Sequence, residues 1–336
     1  MRAARIVEKG RVELADVPEP EPGPGEALLR VLQCGICGSD LHVYRGEWKV
    51  GSKIGHELCA VVERTGEGVS RPRPGARVCA ECFSHCGRCR FCRRGDYNLC
   101  EHVSWLPEPH YSGMAQKAVM PAQTLYEAPA SFSDADVMMV EPAAVALRAV
   151  TRTALVEGEH IGIVGAGTIG LLCVAAARAV GAGRIVAVAR HAHQAAAARE
   201  LGADDTVTLG KRDPAEVMAG LDCAIDTVAL GTSFSTALKA LRNGGRLVVA
   251  AGVTKPVLAA LGPLVDGERL ITGSQCYAAT NGKPDFVRAM ELIEGGAVPS
   301  ERLVTHTLPL DRADEAFAIA NDKSTGSIKV AVRMAD

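Results

Sequence analysis

The segment QCGICGSDLH, residues 33–42, sets two cysteines, a serine, an aspartate and a histidine within ten positions. Thiolate, imidazole and carboxylate are the donors that zinc takes, and Cys34 and Cys37 stand in a C-x-x-C. That spacing serves a redox pair, half of a structural metal site, or nothing. His56 and Glu57 in IGHEL, and Glu141 before Pro142 in MVEPAAVAL, bring the same donor types from two further segments. A cysteine, a histidine and a carboxylate drawn from separate segments make a metal site with a position left for substrate. Each residue taken alone has an ordinary reading, as a buried cysteine or a capping glutamate.

A second set is CGRCRFCRRGDYNLC, in which Cys86, Cys89, Cys92 and Cys100 follow C-x2-C-x2-C-x7-C. Four thiolates on one short loop surround a tetrahedral Zn²⁺ and close its coordination, so such a site is structural. An iron–sulfur cluster is the chemical rival, and a cysteine-rich loop without metal is the bland one. Cys82 and His85 lie just upstream and complicate the ligand count. Arg88, Arg90, Arg93 and Arg94 would suit a phosphate-gripping knuckle, but a net charge of −2 for the whole chain argues against it.

The third set is IGIVGAGTIGLL. Gly165, Gly167 and Gly170, with Thr168 and Ile169 before the last, give G-x-G-x-x-G directly after an apolar run and at the start of a helical one. Glycines placed so allow a tight turn and let a pyrophosphate approach a helix N-terminus, which points to dinucleotide binding.

The elements that must hold these sets divide the chain. Its 336 residues suffice for two domains with cores of their own. With 48% hydrophobic and 23% charged residues near neutrality, the composition is that of a globular protein with no electrostatic case for a nucleic-acid or membrane-surface partner. The N-terminal stretch has no signal-peptide core and no apolar run reaches ~18 residues, so we expect a cytoplasmic protein. Nine of the twelve cysteines fall between Cys34 and Cys100; in a reducing compartment such clustering favours metal over disulfides. Before residue 143, short alternating apolar segments are separated by Pro and Gly and predict an irregular, mostly β domain. After it, HIGIVGAG, RIVAVAR, LDCAIDTV, GGRLVVAAG and ERLITGSQ read as strands. Helical stretches such as TIGLLCVAAARAVGAG, HAHQAAAARELGA and TSFSTALKALRN alternate with them, which predicts a parallel sheet covered on both faces. The tail from DFVRAM onward holds two amphipathic helices and a final strand that returns to the first domain.

Together the three sets resemble the zinc-dependent medium-chain dehydrogenase/reductase family of alcohol, sorbitol and threonine dehydrogenases, in the same order and over essentially the whole chain. The resemblance implies an α/β protein, a Rossmann doubly wound parallel sheet (143–275) inserted into a GroES-like β-rich catalytic domain (1–142 and 276–336). It implies a catalytic zinc held by Cys37 and His56. Glu57 is a ligand in some members and a neighbour in others. Glu141 stands where animal and yeast alcohol dehydrogenases place a second cysteine, a pattern similar to the polyol and threonine branch. Cys86, Cys89, Cys92 and Cys100 look like the structural-zinc lobe. Asp40 resembles the carboxylate that orients the histidine ligand, and Ser39 and His42 match the family's proton relay through the cofactor ribose. Cys34 is then a small buried residue. Ala251, Gly252 and Val253 resemble the loop that flanks the nicotinamide.

Two positions depart from the family pattern. Ala60 replaces a glycine common three residues beyond GHE, a local packing matter. Ala189 stands where an acidic residue usually binds the adenosine ribose of NAD, and Arg190 and His191 follow it. A missing carboxylate removes repulsion and a cation attracts a 2′-phosphate, so NADP is expected over NAD. The implied activity is interconversion of an alcohol, of polyol, cyclitol, sugar or amino-alcohol type, with its ketone or aldehyde by hydride transfer. The alternatives are a simple primary or secondary alcohol dehydrogenase, a zinc-free quinone or enoyl reductase, and a non-catalytic zinc-binding regulatory protein. Trp48, Trp105, His102, Glu108, His110 and Tyr111 lie in segments able to line a substrate pocket. Family members commonly form dimers or tetramers through the sheet edge, here near residues 268–276, so a homodimer or homotetramer is expected.

Overall fold

The first third of the chain folds into strands wherever its apolar residues alternate between Pro and Gly turns. A computed structural model describes residues 1–51, 54–105, 113–211 and 213–334. Its contacts divide the chain into Met1–Glu141 with Pro299–Asp336 and, separately, Pro142–Val298.

The main sheet of the first unit has seven strands. Their order is Val304–Pro309, Lys329–Arg333, Glu26–Gly35, Glu57–Thr65, Arg77–Ala80 and Leu125–Glu127, with Lys117–Pro121 also paired to Glu26–Gly35. Glu26–Gly35 is central, and its Ala27, Leu28, Leu29, Val31 and Cys34 are almost wholly buried. At its end Gly35 pairs with Glu57 on one side and with Ala331 of the C-terminal strand on the other. Both chain ends therefore meet where the first candidate site begins. The core beneath is aliphatic, built on residues such as Leu29, Val31, Leu58, Val62 and Val332, with Phe317 and Tyr44 its few rings, as the scarcity of aromatic residues requires.

The second unit carries a six-stranded parallel sheet. Its order is Asp205–Thr208, Arg184–Ala189, His160–Val164, Leu221–Asp226, Leu241–Val249 and Leu270–Gly273. Numbered along the chain this is 3-2-1-4-5-6, the doubly wound order, with its switch point between His160–Val164 and Leu221–Asp226. Its central strands are apolar along their length: Ile161, Ile163, Ile185, Val186, Ile225 and Leu247 have no exposed surface, as expected of strands covered on both faces.

The contact division differs from the sequence reading at the C-terminal boundary. Residues 276–298, expected in the first domain, pack with the parallel-sheet unit, and the chain returns at Pro299. Arg288 of helix Asp285–Glu294 bonds Asp285 (2.7 Å) and Thr151 (3.2 Å), and Asp285 also takes the N–H of Ala278 (2.9 Å). An amphipathic pattern tells that one face of this helix is buried, but not against which sheet. The first boundary falls between Glu141 and Pro142, inside helix Asp134–Arg152.

Candidate metal centre and dinucleotide site

Strand Glu26–Gly35 ends, the chain turns, and Cys37 becomes the N-cap of the short helix Gly38–Tyr44. His56 stands immediately before strand Glu57–Thr65. Their segments are tied by Asp40, 2% exposed, whose carboxylate accepts the backbone N–H of Cys37 (2.9 Å) and of Gly55 (3.1 Å). The role expected for Asp40 was to orient the histidine ring. Its hydrogen bonds instead fix the two backbones that carry Cys37 and His56, and it reaches His56 through its charge. Gly55 has φ +84°, and a Cβ there would lie 2.6 Å from Met114 Cγ and 3.0 Å from Cys34 Sγ. Cys34 is thus fully packed inside the sheet, as expected.

So placed, Cys37, His56 and Glu57 offer a sulfur, a nitrogen and an oxygen that all lie within 4.8 Å of one another. Glu141 is not a member of this close group. It is buried on helix Asp134–Arg152 and acts on His56 by charge. Burial pushes its carboxyl up to about 7, with His56 and Lys329 pulling the other way. His56 shows the same crowding of negative charge: burial alone would lower it, yet Cys37, Glu141 and Asp40 together hold it well above the ordinary histidine range. A sulfur, an imidazole and a carboxylate gathered this closely are a donor set that fits zinc.

Lys329 supplies a charge that the sequence reading missed. It is 2% exposed, and its Nζ donates to Glu57 Oε2 (2.5 Å) and to the Ile36 carbonyl (3.0 Å). Burial would lower its pKa, but Glu57 and Cys37 outweigh burial and keep it charged. Gly35 makes room for the pair, because a Cβ there would stand 2.2 Å from Glu57 Oε2 and 3.3 Å from Lys329 Cδ. A signal was present in SIKVAV: a lysine within an apolar strand must find a buried partner.

The four-cysteine loop has its sulfurs 3.5 Å (Cys89–Cys92, Cys86–Cys100), 3.9 Å (Cys89–Cys100) and 4.0 Å (Cys86–Cys92) apart. Zinc–sulfur bonds of ~2.3 Å at tetrahedral angles set sulfurs about 3.8 Å apart, so one ion fits all four. An iron–sulfur cluster spreads its four thiolates over two or more irons, whereas these four sulfurs all lie within reach of one ion, which favours zinc. Backbone N–H groups of Cys92 and Glu101 bring the Cys89 thiol down to about 6, while burial and the neighbouring sulfurs push Cys92 up to about 12. His85 Nδ1 lies 3.8 Å from Cys92 Sγ with its ring stacked on Tyr97, a neighbour outside the close group of four. The lobe is fastened by Glu81, also missed in the sequence. It is 2% exposed and accepts the hydroxyls of Tyr97 (2.6 Å) and Tyr126 (3.2 Å).

In the second unit the three glycines differ in what they do. Gly165 has φ +99°, and a Cβ would meet Val228 Cγ2 at 2.5 Å and Thr227 Oγ1 at 2.6 Å. Gly170 lets helix Thr168–Ala179 pack on the turn, since a Cβ there would fall 1.7 Å from the Gly165 carbonyl oxygen. At Gly167 a Cβ meets nothing within 4 Å. Open space at the N-terminus of a twelve-residue helix, beginning at Thr168 and Ile169, is where a pyrophosphate fits. Arg190 is exposed after strand Arg184–Ala189; the backbone N–H groups of Arg190 and His191 both bond Gln194 Oε1 at 3.2 Å, and the His191 ring stacks on His193. Ala251, Gly252 and Val253 follow strand Leu241–Val249, with Val253 55% exposed. All these loops leave the carboxyl ends of parallel strands and so share one edge of the sheet.

Ser39 and His42 are three residues apart on helix Gly38–Tyr44, hence on one face. Trp48 stacks on His42, whereas Trp105 packs on Phe83 and the His102 N–H bonds Cys100 Sγ, so both of those belong to the cysteine lobe. Glu108, His110 and Tyr111 lie outside the described residues.

The chain matches the model of the alcohol dehydrogenase GroES-like domain over residues 23–130 and that of the zinc-binding dehydrogenases over residues 168–295. It is 30% identical to sorbitol dehydrogenase of Bacillus subtilis (strain 168), over 99% of this chain and 97% of that one. It is 29% identical to L-threonine 3-dehydrogenase of Bacillus velezensis, over 94% of each. The crystal structure of a zinc-binding dehydrogenase of Sinorhizobium meliloti 1021 bound to NADP has a TM-score of 0.89 at 28% identity, covering 99% of this chain and 98% of that one.

Proposed function

The chain belongs to the zinc-dependent alcohol dehydrogenases of the medium-chain dehydrogenase/reductase family, and on that footing we propose that Cys37, His56 and Glu57 hold the zinc at which a small polyol or amino alcohol reacts. Its reaction is the interconversion of an alcohol and the corresponding carbonyl compound. The observation that carries the assignment is the close group of sulfur, nitrogen and oxygen donors. Zinc supplies Lewis acidity that lowers the pKa of a substrate hydroxyl, and the nicotinamide dinucleotide exchanges the hydride. The chain's own residues do the rest. Asp40 fixes the backbones of Cys37 and His56. Lys329 occupies one oxygen of Glu57, and Glu141 adds negative charge to the site. Ser39 and His42 carry the hydroxyl proton outward along one helix face. Cys86, Cys89, Cys92 and Cys100 hold a second, structural zinc.

NADP is favoured over NAD in this reading, because Arg190 stands exposed after Ala189 where a carboxylate would otherwise meet the ribose. Thr168, Ile169 and the glycines receive the pyrophosphate, and Ala251–Val253 flank the nicotinamide. A homodimer or homotetramer through edge strand Leu270–Gly273 is supported by Leu270, 64% exposed, and by the exposed Leu261 and Val265 nearby in sequence. A cytoplasmic setting agrees with a cluster of nine cysteines between Cys34 and Cys100 that includes both proposed metal sites. No helix among the described residues is long and apolar enough to cross a membrane.

The test is elemental analysis of untreated protein together with a screen of polyols, secondary alcohols and amino alcohols against NADP and NAD. We expect zinc-dependent oxidation of at least one polyol or amino alcohol, lost in Cys37→Ser with dinucleotide binding retained. Full activity in Cys37→Ser removes the ligand assignment. Zinc-loaded protein without turnover on any alcohol favours the non-catalytic reading.

A further inference from the structure

The proton path proposed above ends at His42, and the turn that follows helix Gly38–Tyr44 folds back over that ring. The backbone N–H groups of Glu47 (2.9 Å) and Trp48 (3.2 Å) both return to the His42 carbonyl. As a result the Glu47 carboxylate bonds His42 Nδ1, and the Trp48 indole stacks on the imidazole with centroids 4.9 Å apart. Arg45 grips the same carboxylate, with Nε 3.1 Å from Oε1 and Nη2 3.3 Å from Oε2, and its Nη1 donates to Asn321 at 3.3 Å. The Glu47 side chain is 34% exposed and that of His42 18%. Hydrogen bonds from His42 and Arg45 hold the Glu47 carboxyl below its ordinary range, so it is an ionised acceptor.

An ionised carboxylate has no proton to give, so Nδ1 must be the donor in this contact. We propose that Glu47, clamped by Arg45, is the positioning residue that fixes His42 in its Nδ1–H tautomer and leaves the Nε2 lone pair to receive the proton released by the substrate hydroxyl. This rests on the relay reading of Ser39 and His42. The exchange balances: one proton arrives at Nε2, one leaves Nδ1 for water beside the exposed Glu47 carboxylate, and solvent exchange restores the starting tautomer. Arg45 Nη2 also lies 3.1 Å from Nδ1. Two N–H groups cannot point at each other, so with Nδ1 protonated Arg45 spends its donors on Glu47. Once that proton leaves, the bare Nδ1 has a donor waiting. Trp48 keeps the ring from turning its nitrogens away. An ion pair as exposed as this one adds little to stability, so the value of Glu47 lies in direction rather than in holding the fold.

Two measurements on the zinc-loaded full chain separate this proposal from the relay itself. The first is the ¹⁵N spectrum of the His42 ring without substrate. We expect the Nδ1–H pattern in the unaltered protein and a shift toward Nε2–H or a mixture in Glu47→Gln, with Glu47→Asp retaining Nδ1–H. An Nε2–H ring in the unaltered protein, or no change in Glu47→Gln, overturns the proposal. The second is the rate of proton release on mixing with cofactor and alcohol, followed by a pH indicator. We expect about a tenfold slowing in Glu47→Gln, relieved by added imidazole, and no further slowing when the change is combined with His42→Ala. If His42→Ala alone releases protons at the normal rate, the relay reading fails. If His42→Ala is slow but Glu47→Gln is normal, the relay stands and the role of Glu47 is overturned.

Discussion

Replacing Lys329 by methionine leaves the Glu57 carboxylate buried, beside Cys37 and near Glu141, with its ammonium gone. The partners are 2% and 1% exposed and 2.5 Å apart. Water therefore cannot take over the missing bond. Removing one member of such a pair costs about 3–5 kcal/mol, against under ~1 kcal/mol for an exposed pair. For a unit of this size, at about 2–4 °C per kcal/mol, the melting temperature falls by roughly 6–20 °C. Substituting both partners in Glu57→Leu/Lys329→Met should recover most of the loss, since an apolar pair of similar volume carries no stranded charge. The assay is denaturant and thermal unfolding of the four members of the double-mutant cycle, each with zinc and after chelation. Zinc should stabilise Lys329→Met by more than it stabilises the unaltered protein, because the ion then becomes the remaining counter-charge for Glu57. The reasoning is refuted if Lys329→Met lies within about 1 kcal/mol of the unaltered protein, or if the double variant is no more stable than the single.

The glycine turn gives a paired expectation. Gly167→Ala should leave the melting temperature within about 2 °C while weakening dinucleotide binding at least tenfold, whereas Gly170→Ala should itself destabilise the second unit because its Cβ would fall on the Gly165 carbonyl; calorimetry and cofactor titration separate the two. Arg190→Asp should move the ratio of kcat/KM for NADP over NAD by about tenfold or more toward NAD, and an unchanged ratio would take Arg190 out of cofactor selection. Leu270→Lys, on the edge strand of the parallel sheet, should lower the oligomeric mass read by sedimentation, and an unaltered mass would place the interface elsewhere.

What the sequence made legible was local. The four cysteines span Cys86–Cys100 and the glycines Gly165–Gly170, so spacing alone sets their geometry, and the alternating strands and helices around them announce a parallel sheet. Strand Asp205–Thr208, four residues long, was too short to stand out. Lys329, Glu81 and Glu47 were not read as functional for a different reason. Lys329 meets Glu57 across 272 positions, and Glu81 meets Tyr126 across 45; no pattern in the intervening residues states which buried charge will find which partner. Glu47 is close to His42 in sequence, yet its meaning depends on a turn that folds back over the ring.

The two proposed metal sites bear this distinction in their construction. In the cysteine lobe each sulfur is within fourteen positions of every other, and Glu81 serves only to fasten a loop whose ligands are already together. The Cys37–His56–Glu57 group has no such local origin. It exists because Asp40 ties the backbone of Cys37 to that of Gly55, fifteen positions beyond Asp40 itself, because Gly35 leaves a slot in the central strand, and because the C-terminal strand carries Lys329 into that slot. A site assembled that way keeps its donors in place by means of residues that never touch the ion. Its integrity should therefore answer to Gly35, Asp40 and Lys329 as much as to the donors themselves. The lobe should answer chiefly to its own four thiols.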